Sequence, residues 1–173
     1  AFYPHLHMNI EAQSAAACAA EIANILCAEG GERAFIENIY DALDNLLVLL
    51  DEAKRYDLPF ALFLAEILRI LGIAPEVDAC VLSGRKQVAG ISVAEGGFVH
   101  AAYLSQSGAV RYAKQQLYQF RLLNKARFTD YERIEDLIPS AAWIIRLLMA
   151  FLQAHADLSL RSFRMLDQLL AES

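Results

Sequence analysis

Three cysteines, four histidines, four prolines and one tryptophan are all that this 173-residue chain holds of those types, and each scarcity excludes something. Cys18 and Cys27 stand nine positions apart on one expected helix, which separates their Cα atoms by about 13 Å at 1.5 Å per residue and forbids a bridge. Free, buried thiols in a reducing compartment follow, with the cytoplasm as the expected location. The histidines are scattered, with no Ser-His-acid or Cys-His grouping around His5, His7 or His100, and Glu21, Glu37 and Glu66 fall on different helices without a companion motif. An enzyme is therefore not expected. Gly30-Gly31 and Gly96-Gly97 lack the strand-to-helix context and the lysine of a phosphate-binding loop. Long apolar runs are missing too. The composition is 57% apolar and mean hydropathy is +0.31, yet Asp51, Glu66 and Arg69 interrupt the richest stretches. None reaches the roughly 18 to 20 apolar residues that a bilayer span requires, so no membrane partner is expected. Ala1 to Ile10 has no signal-peptide pattern, and no fixed-period repeat announces a solenoid.

What is present is helical periodicity. A chain of this length is one domain's worth, able to bury roughly 70% of its unfolded surface without a covalent staple. Asn9 reads as the N-cap of a helix through Ala28, with Ile10, Ala17, Cys18, Ile22 and Ile25 as its stripe and Gly30-Gly31 ending it. A second helix, about Ala34 to Ala53, places Phe35, Ile36, Ile39, Leu43, Leu46, Leu47 and Leu50 at three- and four-residue steps. Pro59 fits the first turn of a third helix running to Leu71, apolar on most sides as a central helix is. Gly72 supplies its left-handed C-terminal cap and Pro75 forbids its continuation. Residues 87–93 and 98–100 alternate as short strands around the Gly96-Gly97 turn, a small hairpin. Ser107 then opens a helix to about Leu123, Phe128 to Asp136 reads as a loop, and Pro139 begins a helix through His155. A short helix after Ser159 or Ser162 closes the chain. The fold class is mainly α: a helical bundle with a β-hairpin inserted at 78–104, one domain over 1–173.

Charge is distributed unevenly. Net charge is −6, but residues 1–110 carry 6 Lys and Arg against 14 Asp and Glu, whereas residues 111–173 carry 9 against 7. A polyanion would approach the second part. At 100° per residue, Arg111, Lys114, Tyr118, Arg121 and Lys125 fall within roughly an 80° arc of the expected helix, with Arg127 just beyond. No acid interrupts the arc in sequence. Ala113, Leu117, Phe120 and Leu123 occupy the opposite face and are expected to pack inward. Cations with an aromatic among them suit a phosphate backbone or an acidic peptide; the ordinary alternative is a solvated helix face. Trp143, Leu147 and Phe151, at four-residue steps, either line an apolar groove or form a plain core stripe.

The strings LPFALFLAEILRILGIAPEVDACVLSG, GGFVHAAY and HADLSLRSFRMLDQL together resemble the C-terminal part of the RecO family of bacterial recombination mediators. That family's pattern is an apolar helix, LGY-x-P, C-x-x-C-G, a GG turn, a second C-x-x-C and a closing H-L-x-x-x-L-K-S-R. Leu71, Gly72, Pro75, Cys80, Gly84, Gly96, Gly97, His155, Leu160 and Ser162 stand in matching places. Ser83, His100 and Tyr103 stand where the family has its other knuckle cysteines. Tetrahedral zinc needs four N or S ligands, and only Cys80 and His100 qualify, so no metal or other cofactor is expected. The hairpin should be held by packing of Val81, Ile91, Phe98 and Tyr103 instead. The resemblance implies a mediator of DNA repair and recombination. Its partners would be the acidic tail of single-strand-binding protein and RecR, and its work annealing strands and loading RecA. The family's leading oligonucleotide-binding barrel, which would carry most single-stranded DNA binding, is not in this chain; with Ala1 as first residue, the chain reads as an excised fragment from the bacterial cytoplasm, near the nucleoid. Arg161 and Arg164, beside the closing motif, could add phosphate contacts; alternatively His155 and Ser162 simply close the last helix junction. The rival reading is a non-catalytic ligand-binding or structural helical domain.

Overall fold

The computed structural model describes residue 3, residues 6–28 and residues 30–172, with His7 and Glu172 described by their backbone alone. Seven α-helices and a three-stranded antiparallel sheet make up these residues: α1 Ile10–Ala28, α2 Arg33–Glu52, α3 Asp57–Ile70, β1 Gly90–Ser92, β2 Gly97–Val99, β3 Val110–Arg111, α4 Lys114–Lys125, α5 Tyr131–Ile134, α6 Ala142–Ala156 and α7 Phe163–Glu172. The fold is thus mainly α with a small β insertion.

Local chemistry sets several boundaries. Asn9 Oδ1 accepts the backbone N–H groups of Glu11 and Ala12 at 2.9 and 3.0 Å, an N-cap that satisfies two otherwise orphaned donors of α1. At the end of α3, Gly72 takes φ +72°, its N–H reaches Arg69 O and the Ile73 N–H reaches Leu68 O, the paired bonds of a Schellman cap. Pro59 lies in the first turn of α3, as its missing N–H favours.

α3 is the axis of the molecule. Ten of its residues, from Leu58 to Leu68, are buried, and α1, α2, α4 and α6 pack around it. The stripe of α1 is displaced from the sequence expectation: Ala12, Ala15, Cys18, Ala19, Ile22, Ala23 and Leu26 are buried, while Ile10 and Ala17 face solvent. Its alanines, too small to signal a stripe by hydrophobicity, make the closer-packing face. All three cysteines are free; Cys18 and Cys80 are buried and Cys27 is half-buried.

The hairpin gains a third strand. Sheet order is β2-β1-β3, with Ile91 opposite Phe98 on one side and Val110 on the other. Val110 and Arg111 therefore belong to a strand, and the helix expected from Ser107 begins only at Lys114. Gly108, at φ +61°, turns the chain into β3. Two glycines admit close backbone approach. A Cβ on Gly90 would lie 2.5 Å from Val110 O, and one on Gly97 2.4 Å from Glu76 O, where residues 76 and 97 form a parallel bridge. Ile91 and Phe98 sit in the core, whereas Val81 and Tyr103 are only half-buried at its margin. Two further boundaries differ from expectation. The segment after Phe128 is a 3-10 turn followed by α5, and α6 starts at Ala142, three residues beyond Pro139.

Candidate docking surface

α4 begins where the Gln116 side-chain oxygen accepts the Ala113 N–H at 3.0 Å. Its inner face buries Leu117, Phe120 and Leu123; Ala113, expected inside, is the exposed N-cap. Its outer face presents Lys114, Tyr118, Arg121 and Lys125, all exposed, with Tyr118 54% accessible. Arg111 leaves the arc because it lies on β3, though it remains exposed on the approach to α4.

The acids missing from the arc in sequence arrive from elsewhere. Asp78, in the loop after α3, accepts from Arg121 Nη2 at 2.8 Å and from Lys125 Nζ at 2.5 Å. Hydrogen bonds from Lys125 and then Arg121 hold its carboxyl below the ordinary range. Arg127 is also taken: its Nη1 lies 2.8 Å from Glu66 Oε2, and Arg69, on the same helix as Glu66, donates to that oxygen too. Burial alone would raise the Glu66 carboxyl, but the two guanidiniums, Arg69 foremost, outweigh it and leave it lowered. Arg69 Nη1 further donates to Asn124 O at 2.9 Å, tying α3 to the end of α4. Among the described residues, Arg111, Lys114 and Arg164 pair with no carboxylate. The Arg69–Arg127 corner borders an open cleft of about 520 Å³ that also includes Asn38, Asp41 and Phe128.

The α6 stripe packs against the core, with Phe151 inside it and Trp143 and Leu147 half-buried at its margin. Trp143 meets Tyr112 and Phe120 at ring-centroid distances of 5.5 and 6.3 Å, Phe120 meets Phe98 and Phe151 at 6.1 and 6.3 Å, and Phe151 meets His155 at 5.8 Å. This aromatic chain fastens the sheet and α4 onto α6, with Phe151 fully buried and Trp143 half-buried against the core. The closing motif joins elements as well. His155 Nε2 lies 2.6 Å from Val93 O in the hairpin turn. Glu21 on α1 accepts from the Arg161 and Ser162 N–H groups at 3.0 and 2.9 Å and from the Ser162 hydroxyl. The Ser162 side-chain bond is the largest cause of a lowered Glu21 carboxyl. Arg161 precedes α7 and does not share a helical face with Arg164; both are exposed.

At the knuckle positions, burial raises the Cys80 thiol, but bonds from the Ser83 side chain and the His100, Leu82 and Ser83 backbones outweigh it and leave its pKa lowered. His100 Nδ1 accepts the Ala102 N–H at 3.1 Å, and its ring meets Tyr103 edge-on. A thiol, a hydroxyl, an imidazole and a phenol do not fit a tetrahedral zinc centre. Among the described residues no three His, Cys, Asp or Glu side chains gather closely enough to share a metal. His5 and the His7 side chain lie outside the described residues.

Sequence reasoning found the exposed cations but missed their acidic partners. Glu66 and Arg69, three apart on one helix, were legible as a pair. Asp78 carried no such signal, because its partners lie 43 and 47 residues away.

Fold and surface together define a mainly helical domain with an exposed basic face on α4. The family described as "Recombination protein O C terminal" matches residues 7–164, and the chain belongs to it. It is also 30% identical over 145 residues to a DNA repair protein RecO from Exiguobacterium sibiricum, covering 76% of this chain and 54% of that protein. The chain thus spans about half the length of that relative. No solved structure matches it. No helix among the described residues is long and apolar enough to cross a membrane.

Proposed function

We infer that this domain serves DNA repair and recombination as a non-enzymatic mediator, docking the acidic tail of single-strand-binding protein on the outer face of α4. The observation that carries the reading is the exposed row Lys114, Tyr118, Arg121 and Lys125 in a chain of this family. Charge on such a face speeds encounter with an acidic peptide, and an aromatic side chain within it adds a contact that salt does not screen. RecR would be a second partner, and the outcome would be strand annealing and RecA loading. Single-stranded DNA would be held mainly by a separate oligonucleotide-binding domain, with Arg111, Arg127, Arg161 and Arg164 as secondary phosphate contacts. The domain works in the bacterial cytoplasm, as one unit, without zinc.

Fluorescence anisotropy with a labelled peptide of that tail tests the reading. Saturable binding in the micromolar range, weaker at physiological than at low salt and lost in a Lys114→Gln, Arg121→Gln variant, is the expected result. No binding at either salt would overturn it. Glutamine is the useful replacement, since a glutamate at position 121 would face Asp78. The second reading, a small-molecule site, rests on the roughly 520 Å³ cleft bounded by Asn38, Asp41, Glu66, Arg69 and Arg127. It predicts that Asn38→Leu leaves peptide affinity unchanged and alters protection of the cleft by a bound metabolite.

A further inference from the structure

Asp78 shows what the basic face can hold. One carboxylate oxygen lies 2.8 Å from Arg121 Nη2 and the other 2.5 Å from Lys125 Nζ, so two cations one helical turn apart grip a single carboxylate from both sides. That carboxylate is delivered by a different element, on a well-anchored path. Glu76 N–H donates to Gly96 O and Phe98 N–H to Glu76 O, each at 2.9 Å, and the Asp78 N–H donates to Glu76 Oε1 at 2.6 Å. The grip is solvent-exposed: the Arg121, Lys125 and Asp78 side chains are 51%, 50% and 50% accessible. Ion pairs at such exposure are weak and readily exchanged. Tyr118 and Lys114 stand about one and two turns before Arg121 on the same face, both exposed and, among the described residues, without a carboxylate of their own.

We propose that Arg121 and Lys125 form a carboxylate clamp for an acidic peptide and that Asp78 is its built-in competitor, occupying the clamp until the peptide displaces it. The proposal rests on the reading of α4 as an acidic-peptide surface and adds how that surface is regulated. An internal competitor lowers apparent affinity by the fraction of time the clamp stands open. It also raises selectivity: a lone carboxylate gains little by exchanging with Asp78, whereas a peptide that engages Lys114 and Tyr118 as well gains contacts that Asp78 cannot make.

The experiment compares the parent chain, Asp78→Asn, and Asp78→Asn combined with Arg121→Gln and Lys125→Gln. Each is titrated with a labelled acidic peptide ending in a free carboxylate, and separately with a labelled single-stranded oligonucleotide. Asp78→Asn is expected to bind the peptide about 3- to 10-fold more tightly at low salt, as expected when the competitor holds the clamp for most of the time. The gain should shrink at high salt and vanish in the triple variant. Equal or weaker peptide binding by Asp78→Asn, with the parent binding normally, overturns the competitor while leaving the peptide surface intact. Peptide binding by none of the three overturns the peptide surface and the competitor together. A gain for the oligonucleotide without one for the peptide reassigns the clamp to phosphate and overturns the proposal. An Asp78→Ala variant with the same gain assigns the effect to the lost charge; no gain in it also overturns the proposal.

Discussion

α3 and α4 lie against each other, and both carry charged side chains, yet the two helices settle those charges in opposite ways. On α3, Glu66 is about one-fifth accessible, and its partners surround it: Arg69 from its own helix and Arg127 from beyond α4. At its N-terminus, Asp57 is 14% accessible and fully engaged, accepting from Arg55 Nε and Nη2, from the Leu58 N–H and from the Ala141 N–H. On α4 the charges stand in water, and a single exposed carboxylate serves two of them. The lesson concerns energy. A charge removed from water must be completely paired, because one left without its partner is costly, whereas an exposed pair is nearly dispensable and free to change partners. α3 uses ions to join elements; α4 keeps them available.

Breaking the α3 side of this comparison should have the largest effect. Asp57→Ala strands the Arg55 guanidinium and the Ala141 N–H that positions the start of α6, and chemical denaturation should report a loss of about 3 kcal/mol. Arg55 also donates to Ile138 O at 2.7 Å, so the link between α3 and α6 loses its remaining order with it. Glu66→Gln should cost less, about 1 to 2 kcal/mol, because the amide keeps part of the hydrogen bonding to Arg69 and Arg127. It also sharpens the comparison through pH. The Glu66 carboxyl is lowered on folding, so its contribution is fully present above the unfolded value, near 4.3, and is lost as pH falls through the lower folded value. Melting temperatures measured between pH 6 and pH 2.5 should therefore decline less steeply in Glu66→Gln than in the parent. The smallest effect belongs to α4: Arg121→Gln with Lys125→Gln should change unfolding free energy by no more than about 0.5 kcal/mol, as surface changes do. A loss as large as that of Asp57→Ala would erase the distinction between the two helices.

Legibility followed the range of the interaction. The Schellman turn at Gly72, the Asn9 cap and the buried length of α3 were readable because each depends on residues within a turn or two of one another. The start of α4 was misplaced because its competitor was non-local: Val110 and Arg111 are claimed by β1, some twenty residues earlier, and no periodicity in 107–113 reports that pairing. The same cause hid the fate of Trp143 and Phe151. A stripe at four-residue steps has one appearance whether a groove or a second helix faces it, and only the placement of Phe120 and Tyr112 packed Trp143 and Phe151 against their neighbours.

The sequence by itself determined the family, the extents of α1 to α3 to within a residue or two, and an uneven spread of charge, because each is written in neighbouring residues or in composition. Tertiary structure alone decided which charges remain on offer. Asp78 and Glu66 reach Arg121, Lys125 and Arg127 across 43 to 61 residues of chain, and electrostatic pairing depends on distance in space rather than along the chain.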